Sequence, residues 1–240
     1  VSRFNAQLNI AMNIKLYFHL FPHADWEHYL DLKLSKFENS GLWDRLDKIV
    51  FCTHRSEEAL SPVYEKFCND SRVSFVYHPD AVVPFNEQYT NRTLKTQTDQ
   101  DTEPSYILRY HMKGITIWPK KSDYDELLDE YNISKWESVI DKLDQGYDTA
   151  GVWWVKQPRP HYVGNIWWAT SGYIKKLSLL KMPHETPGIQ QLPSLPGNPN
   201  VITKIHDAEM WVGTANPRAY DLLRNSDQIA DHPAAWVHGR

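Results

Sequence analysis

Cysteine is nearly missing from this chain: 240 residues contain two, Cys52 and Cys68, with no Cys-x-x-Cys spacing. That excludes a disulfide framework and a thiolate metal centre, and it makes a reducing compartment, the cytoplasm, the default expectation. Long apolar runs are missing as well. None approaches the ~20 residues that span a bilayer, so no transmembrane segment is expected, and no charged-then-apolar leader opens the sequence. Basic residues are not in excess: 26 Lys and Arg against 30 Asp and Glu leave a net charge of −4, with a pI near 6.3. A general phosphate-backbone binder needs the opposite balance, so nucleic acid is not an expected partner. Internal repeats and low-complexity tracts are absent too.

What the chain does have is aromatic mass, with 10 Trp, 13 Tyr and 8 Phe in a composition that is 41% hydrophobic and 23% charged. Those fractions belong to a soluble globular protein. The length suits one α/β domain with a sizeable core, and two full domains would be cramped. Short β-rich runs alternate with helical patterns over the first two-thirds, which predicts a mostly parallel central sheet flanked by helices. Strands are expected over Asn13–His19, Lys48–Thr53, Val73–Tyr77, Ser105–His111, Tyr147–Val155 and about Gly164–Ala169. Helices are expected over about Asp25–Glu38, Ser56–Asn69, Pro84–Asp101, Ser122–Leu143 with an interruption near Asn132, and Ser171–Leu180. Five prolines between Met182 and Asn200 predict an irregular surface loop.

Ligands of open α/β sheets bind beyond the carboxyl ends of the strands, which draws attention to His19, His54, His78 and His111. A lone histidine at such a place is more often structural, yet His111 has company in Tyr110-His-Met-Lys-Gly114. There Lys113 can set an ammonium against a diphosphate, and Gly114 lets the backbone approach. A second cluster is His161-Tyr-Val-Gly-Asn-Ile-Trp-Trp-Ala-Thr170. Trp167 and Trp168 alternate along a strand, so one is expected in the core and one facing out. Beside Asn165, whose amide both donates and accepts, an outward ring suits a sugar.

The third cluster, Asp207-Ala-Glu-Met-Trp211, offers Glu209 as a general base with Asp207 as its neighbour. A helix start with Asp207 as cap and Glu209 in solvent explains the same residues equally well. Asp99-Gln-Asp101 superficially matches the Asp-x-Asp that nucleotide-sugar transferases use to hold a divalent cation, but it precedes a strand where that motif normally follows one. Without a cation, Lys113 and His111 would neutralise a leaving diphosphate.

Tyr110-His-Met-Lys-Gly114, Gly146-Tyr-Asp-Thr-Ala-Gly151, the Gly164–Trp168 cluster with His161, and Ala208-Glu-Met-Trp211 form the series HxKG, GYDxxG, HxxGNxWWA, AExW. This series resembles that of GT-A-like glycosyltransferases of bacterial polysaccharide clusters and large algal viruses, and the similarity runs from about Ser105 to Gly213. The resemblance implies a single GT-A-like, Rossmann-like domain, with residues 1–115 as the nucleotide-sugar half and 116–240 as the acceptor half. It implies a UDP- or GDP-sugar donor, a glycan acceptor, and possible dependence on Mn²⁺ or Mg²⁺ at Asp99 and Asp101. Glu209 and Asp207 would be catalytic. His19, His111, Lys113 and Gly114 would bind the donor, and His161, Gly164, Asn165, Trp167, Trp168 and Trp211 the sugars. The missing Asp-x-Asp after the fourth strand leaves metal dependence open, and with Glu209 as general base an inverting transfer is expected. A carbohydrate-binding protein without chemistry is the main alternative. A metal-dependent hydrolase built from the eleven histidines is the third reading, and no motif has its spacing.

Overall fold

The run from Asn13 to His19 is buried at every position after the first, Lys15 and His19 included. A strand covered on both faces behaves this way, whereas one with a wet face alternates. A computed structural model describes residues 12–23, 25–53, 58–78, 86–113, 115, 123–157, 159–180 and 208–228. In it β1 (Asn13–His19) pairs in parallel with β2 (Lys48–Thr53) and β4 (Ser105–His111), and β3 (Val73–Tyr77) pairs in parallel with β2. Beyond β4 lie β8 (Trp167–Thr170), β5 (Thr149–Gly151) and β9 (Ala219–Asp221), giving the order β3-β2-β1-β4-β8-β5-β9. Only β8 runs against the others. A separate hairpin joins β6 (Trp154–Val155) to β7 (His161–Tyr162).

Side chains alternate along the strands into two cores, one on each face of the sheet. Leu16, Phe18 and Trp168 enter the first, which includes Leu34 and Phe37 of α1 (Trp26–Asn39) and Val139 of α6 (Trp136–Asp144). Tyr17, Ile107 and Trp167 enter the second, with Leu94 of α4 (Asn86–Gln100) and Tyr173 of α7 (Ser171–Ile174). The result is a three-layered, Rossmann-like α/β fold. α2 (Leu42–Arg45) and α3 (Ser61–Phe67) complete the first half. α5 (Asp123–Asp129) continues through a π-helical turn at Glu130–Ser134 into α6, which is the interruption expected near Asn132.

Three expectations need correction. The strand expected over Tyr147–Val155 breaks after Gly151, because Trp153 takes φ 55° and the buried Asp221 carboxylate accepts from the Trp153 and Trp154 N–H groups at 3.2 and 3.0 Å. β8 begins at Trp167, later than expected, since Gly164 (φ 85°) and Asn165 (φ 53°) form a turn ahead of it. The helix at Ser171 ends at Ile174, where the chain tightens into turns in which the Lys176 and Leu177 N–H groups donate to the Tyr173 and Ile174 carbonyls. The proline-rich stretch from Met182 to Asn200 lies outside the described residues.

Candidate functional site

From β1 the sheet grows one way through β2 and β3 and the other way through β4. The crevice beyond the carboxyl ends of β1 and β4 is therefore the topological switch point at which open α/β sheets hold ligands. The two strands pair in register from Asn13↔Ser105 to His19↔His111, so both end in a histidine and the two are lateral neighbours. His19 Nδ1 lies 2.8 Å from the Thr90 hydroxyl on α4. His111 Nε2 lies 2.6 Å from the Gly164 carbonyl, and its Nδ1 lies 3.3 Å from a Glu87 oxygen. Both of these partners, a carbonyl and a carboxylate, are acceptors.

Arg109 stands two residues before His111 on the same face of β4 and is wholly buried. Its guanidinium donates to Asn91 Oδ1 at 3.2 Å, to the Asn165 carbonyl at 2.6 Å and to Glu87 at 2.7 Å. Glu87 also accepts from the Asn165 side-chain amide at 2.6 Å. Asn91 in turn donates to the Ala208 carbonyl at 2.9 Å, which ties the 208–210 turn to the same assembly. Burial alone would raise the Glu87 carboxyl, but His111 and Arg109, with help from His19, hold it well below the ordinary carboxylate range. Glu87 and Asn91 were not among the sequence candidates, and nothing local marks them on a polar helix. Arg109 did carry a signal, a lone arginine inside the apolar run Tyr106–Tyr110, since such a charge is kept only with partners.

Around this network stand the groups with chemistry to offer. Lys113 follows the end of β4, half-buried, with its ammonium 5.8 Å from the centre of the Tyr124 ring. Tyr124 lies at the start of α5, and its hydroxyl packs so closely on Gly164 that a Cβ there would meet it at 2.2 Å. Burial first, then the charges of Glu209 and Asp125, push the Tyr124 phenol well above its usual range. Asp125, 8% exposed, is raised by burial, with Lys33 and Lys113 opposing. Glu209 is half-buried in the 208–210 turn. One end of the sheet therefore gathers His19, His111, Lys113, Gly164, Asn165 and Glu209 from the sequence candidates, and adds Glu87, Arg109, Tyr124 and Asp125. Gly114, Asp207 and His54 lie outside the described residues.

The tryptophans do not face a ligand. Trp167 and Trp168 alternate as expected, but helices cover both faces of β8 and both rings are fully buried. Trp168 Nε1 donates to the Asn132 carbonyl at 3.0 Å, and Trp167 Nε1 to Asn165 Oδ1 at 3.1 Å. Trp211 is also buried, as is His161, whose Nδ1 lies 2.6 Å from the Arg159 carbonyl. Asn165, wholly buried with its amide shared between Glu87 and Trp167, is a brace for the turn and presents nothing to sugar hydroxyls. The outward ring and the amide expected to hold a sugar are structural here.

Asp99 and Asp101 lie at the other end of the sheet. Asp101 pairs with Lys15 at 2.6 Å and Asp99 with Lys95. α4 separates them from Glu87, the partner of His111, by ~20 Å at ~1.5 Å per residue. Two carboxylates neutralised by lysines at that distance do not fit a cation on a donor in the crevice. Among the described residues, no group of three or more His, Cys, Asp or Glu is placed to hold a metal ion, and no helix is long and apolar enough to cross a membrane.

No protein-family model and no curated protein matches the sequence. Among solved structures, Rv0371c from Mycobacterium tuberculosis H37Rv is similar at 10% identity with a TM-score of 0.35, covering 79% of this chain and 86% of that one. A likeness at that level carries no argument about function.

Proposed function

We propose that the chain is a glycosyltransferase that moves a sugar from a nucleotide-sugar donor to a saccharide acceptor. The observation that carries this reading is the in-register end of β1 and β4 at His19 and His111, where the strand order reverses, with Lys113 and Glu209 at the same end. A nucleotide lies across such a crevice in Rossmann-like folds. Lys113, just past the last residue of β4, supplies a compact positive charge for the diphosphate. The motif resemblance of residues 105–213 supports the same assignment.

In this reading Glu209 takes the proton of the acceptor hydroxyl as that oxygen attacks the anomeric carbon. The bond from that carbon to the diphosphate breaks, and its electron pair leaves with the diphosphate, whose charge Lys113 offsets. The Glu87–Arg109–His111–Asn165 network holds the Gly164 turn and the 208–210 turn in place, so that base and phosphate partner keep their separation. Asp99 and Asp101 have no part in it, and no step runs through a metal ion.

The test is a calorimetric titration against UDP- and GDP-sugars, each with and without manganese. Saturable binding of one nucleotide family supports the reading and names the donor class. Absence of binding to every nucleotide under both conditions rejects it. The alternative of a glycan-binding protein without chemistry draws on exposed tryptophan faces, and Trp167, Trp168 and Trp211 present none.

A further inference from the structure

Few buried polar atoms in a folded protein go without a hydrogen bond, so each that does calls for a reason. Among the described residues the Tyr124 hydroxyl is such an atom. It is held in place by its neighbours: the ring stacks on Trp153 at 5.2 Å with planes 7° apart, and the hydroxyl rests on Gly164, the residue whose carbonyl accepts from His111. A phenol set beside two carboxylates stays protonated and remains a donor, and Glu209 and Asp125 are the charges that act on it. Asp125, the next residue in the chain, is itself 8% exposed.

We infer that the Tyr124 hydroxyl is a ligand-binding donor, in a subsite for a neutral sugar hydroxyl that it forms with Asp125 and Glu209. The chemistry selects the ligand. A hydroxyl group both accepts and donates, and so satisfies a phenol and a carboxylate together, while the diphosphate charge falls to Lys113 over the Tyr124 ring. An acceptor saccharide fits this description and a donor diphosphate does not. The subsite supplies the sugar contact that the buried tryptophans do not, and its assignment to the acceptor rests on the transferase reading above.

The decisive variant is Tyr124→Phe, which keeps the ring, the Trp153 stack and the Gly164 contact while removing one oxygen. Ser105→Ala is its control, because the Ser105 hydroxyl is also buried without a partner but stands at the amino end of β4. Binding of neutral monosaccharides is followed by saturation-transfer NMR, with nucleotide sugars titrated in parallel and Tm recorded for each protein. The expected result is saccharide binding that falls about tenfold in Tyr124→Phe, with Tm unchanged or raised, and no change in binding for Ser105→Ala. Equal saccharide affinity in Tyr124→Phe and wild type overturns the assignment and leaves the transferase reading standing, as does wild-type protein that binds nucleotide sugars but no saccharide. Tyr124-dependent saccharide binding without any nucleotide binding upholds the subsite and removes the transferase reading.

Discussion

At the amino ends of β1 and β4, Lys15 meets Asp101 and Lys95 meets Asp99, each lysine buried and each carboxylate reaching water, with side chains 25% and 44% exposed. At the carboxyl ends of the same strands, Arg109 and His111 share Glu87 with Asn165, and the Tyr124 phenol nearby has no hydrogen-bond partner among the described residues. The first arrangement is pairwise and local. The second draws on α4, β4 and two turns distant in sequence, and its members cannot be removed singly without exposing another. A satisfied network of the second kind fixes the arrangement of every group it joins, which pairwise contacts do not.

The comparison breaks most sharply at Glu209. Glu209→Gln keeps the size and polarity of the side chain and removes the base, so transfer is expected to fall by roughly 10²–10⁴-fold while nucleotide binding stays intact. Wild-type turnover in that variant would refute the base assignment and return Glu209 to the role of a solvated helix-start residue.

Next in size is the loss of the shared carboxylate. Glu87→Ala leaves the fully buried Arg109 guanidinium without its counter-charge, an expected cost of about 3–5 kcal/mol by urea unfolding. The pH dependence follows in sign. Because Glu87 titrates in the folded protein well below its ordinary value near 4.5, its contribution is complete above that pH and is lost progressively as pH falls beneath it. In Glu87→Gln this part of the acid-side loss is expected to disappear; an acid limb identical to wild type would show that Glu87 is not so held.

A smaller effect separates the two basic residues at the carboxyl end. His111 is engaged inside the network, whereas Lys113 stands at its margin, so Lys113→Ala is expected to weaken nucleotide binding by about tenfold with little change in Tm. Equal affinity would mark Lys113 as a solvated residue of the turn after β4.

How far the sequence foretold these two ends depends on how local each signal is. β1, β2, β3 and β4 occupy the expected residues, because each is a short apolar run bounded by turn formers, and such a run can be recognised without its neighbours. The second half departs where non-glycine residues turn the chain through left-handed conformations, at Trp153 and Asn165, since these are set by distant carboxylates, Asp221 and Glu87. The histidines ending β1 and β4 were visible from strand patterns alone. The tryptophans of β8 were visible too, yet a period of two cannot say whether the far face of a strand meets water or a helix, and here α4 and α7 contribute to the core on that face. Glu87 and Tyr124 look like any Glu and Tyr on a polar helix, and only the folded chain brings the first to Asn165 and the second to Gly164.

The amino end supplies the smallest prediction and the cleanest control. Asp101→Asn removes one charge beside the buried Lys15 but keeps an oxygen that can accept from its ammonium, and the loss is expected to be about 1 kcal/mol, the net worth of a single hydrogen bond. Lys15 keeps its long stem packed along β1, and its ammonium can turn toward the solvent that Asp101 occupied. If manganese affects nucleotide binding in the wild-type protein, Asp101→Asn should leave that effect unchanged, because the pair stands a full strand away from the crevice. A manganese response abolished by this substitution would place the cation at the amino end, and the contrast between a structural end and a functional end of these strands would fail.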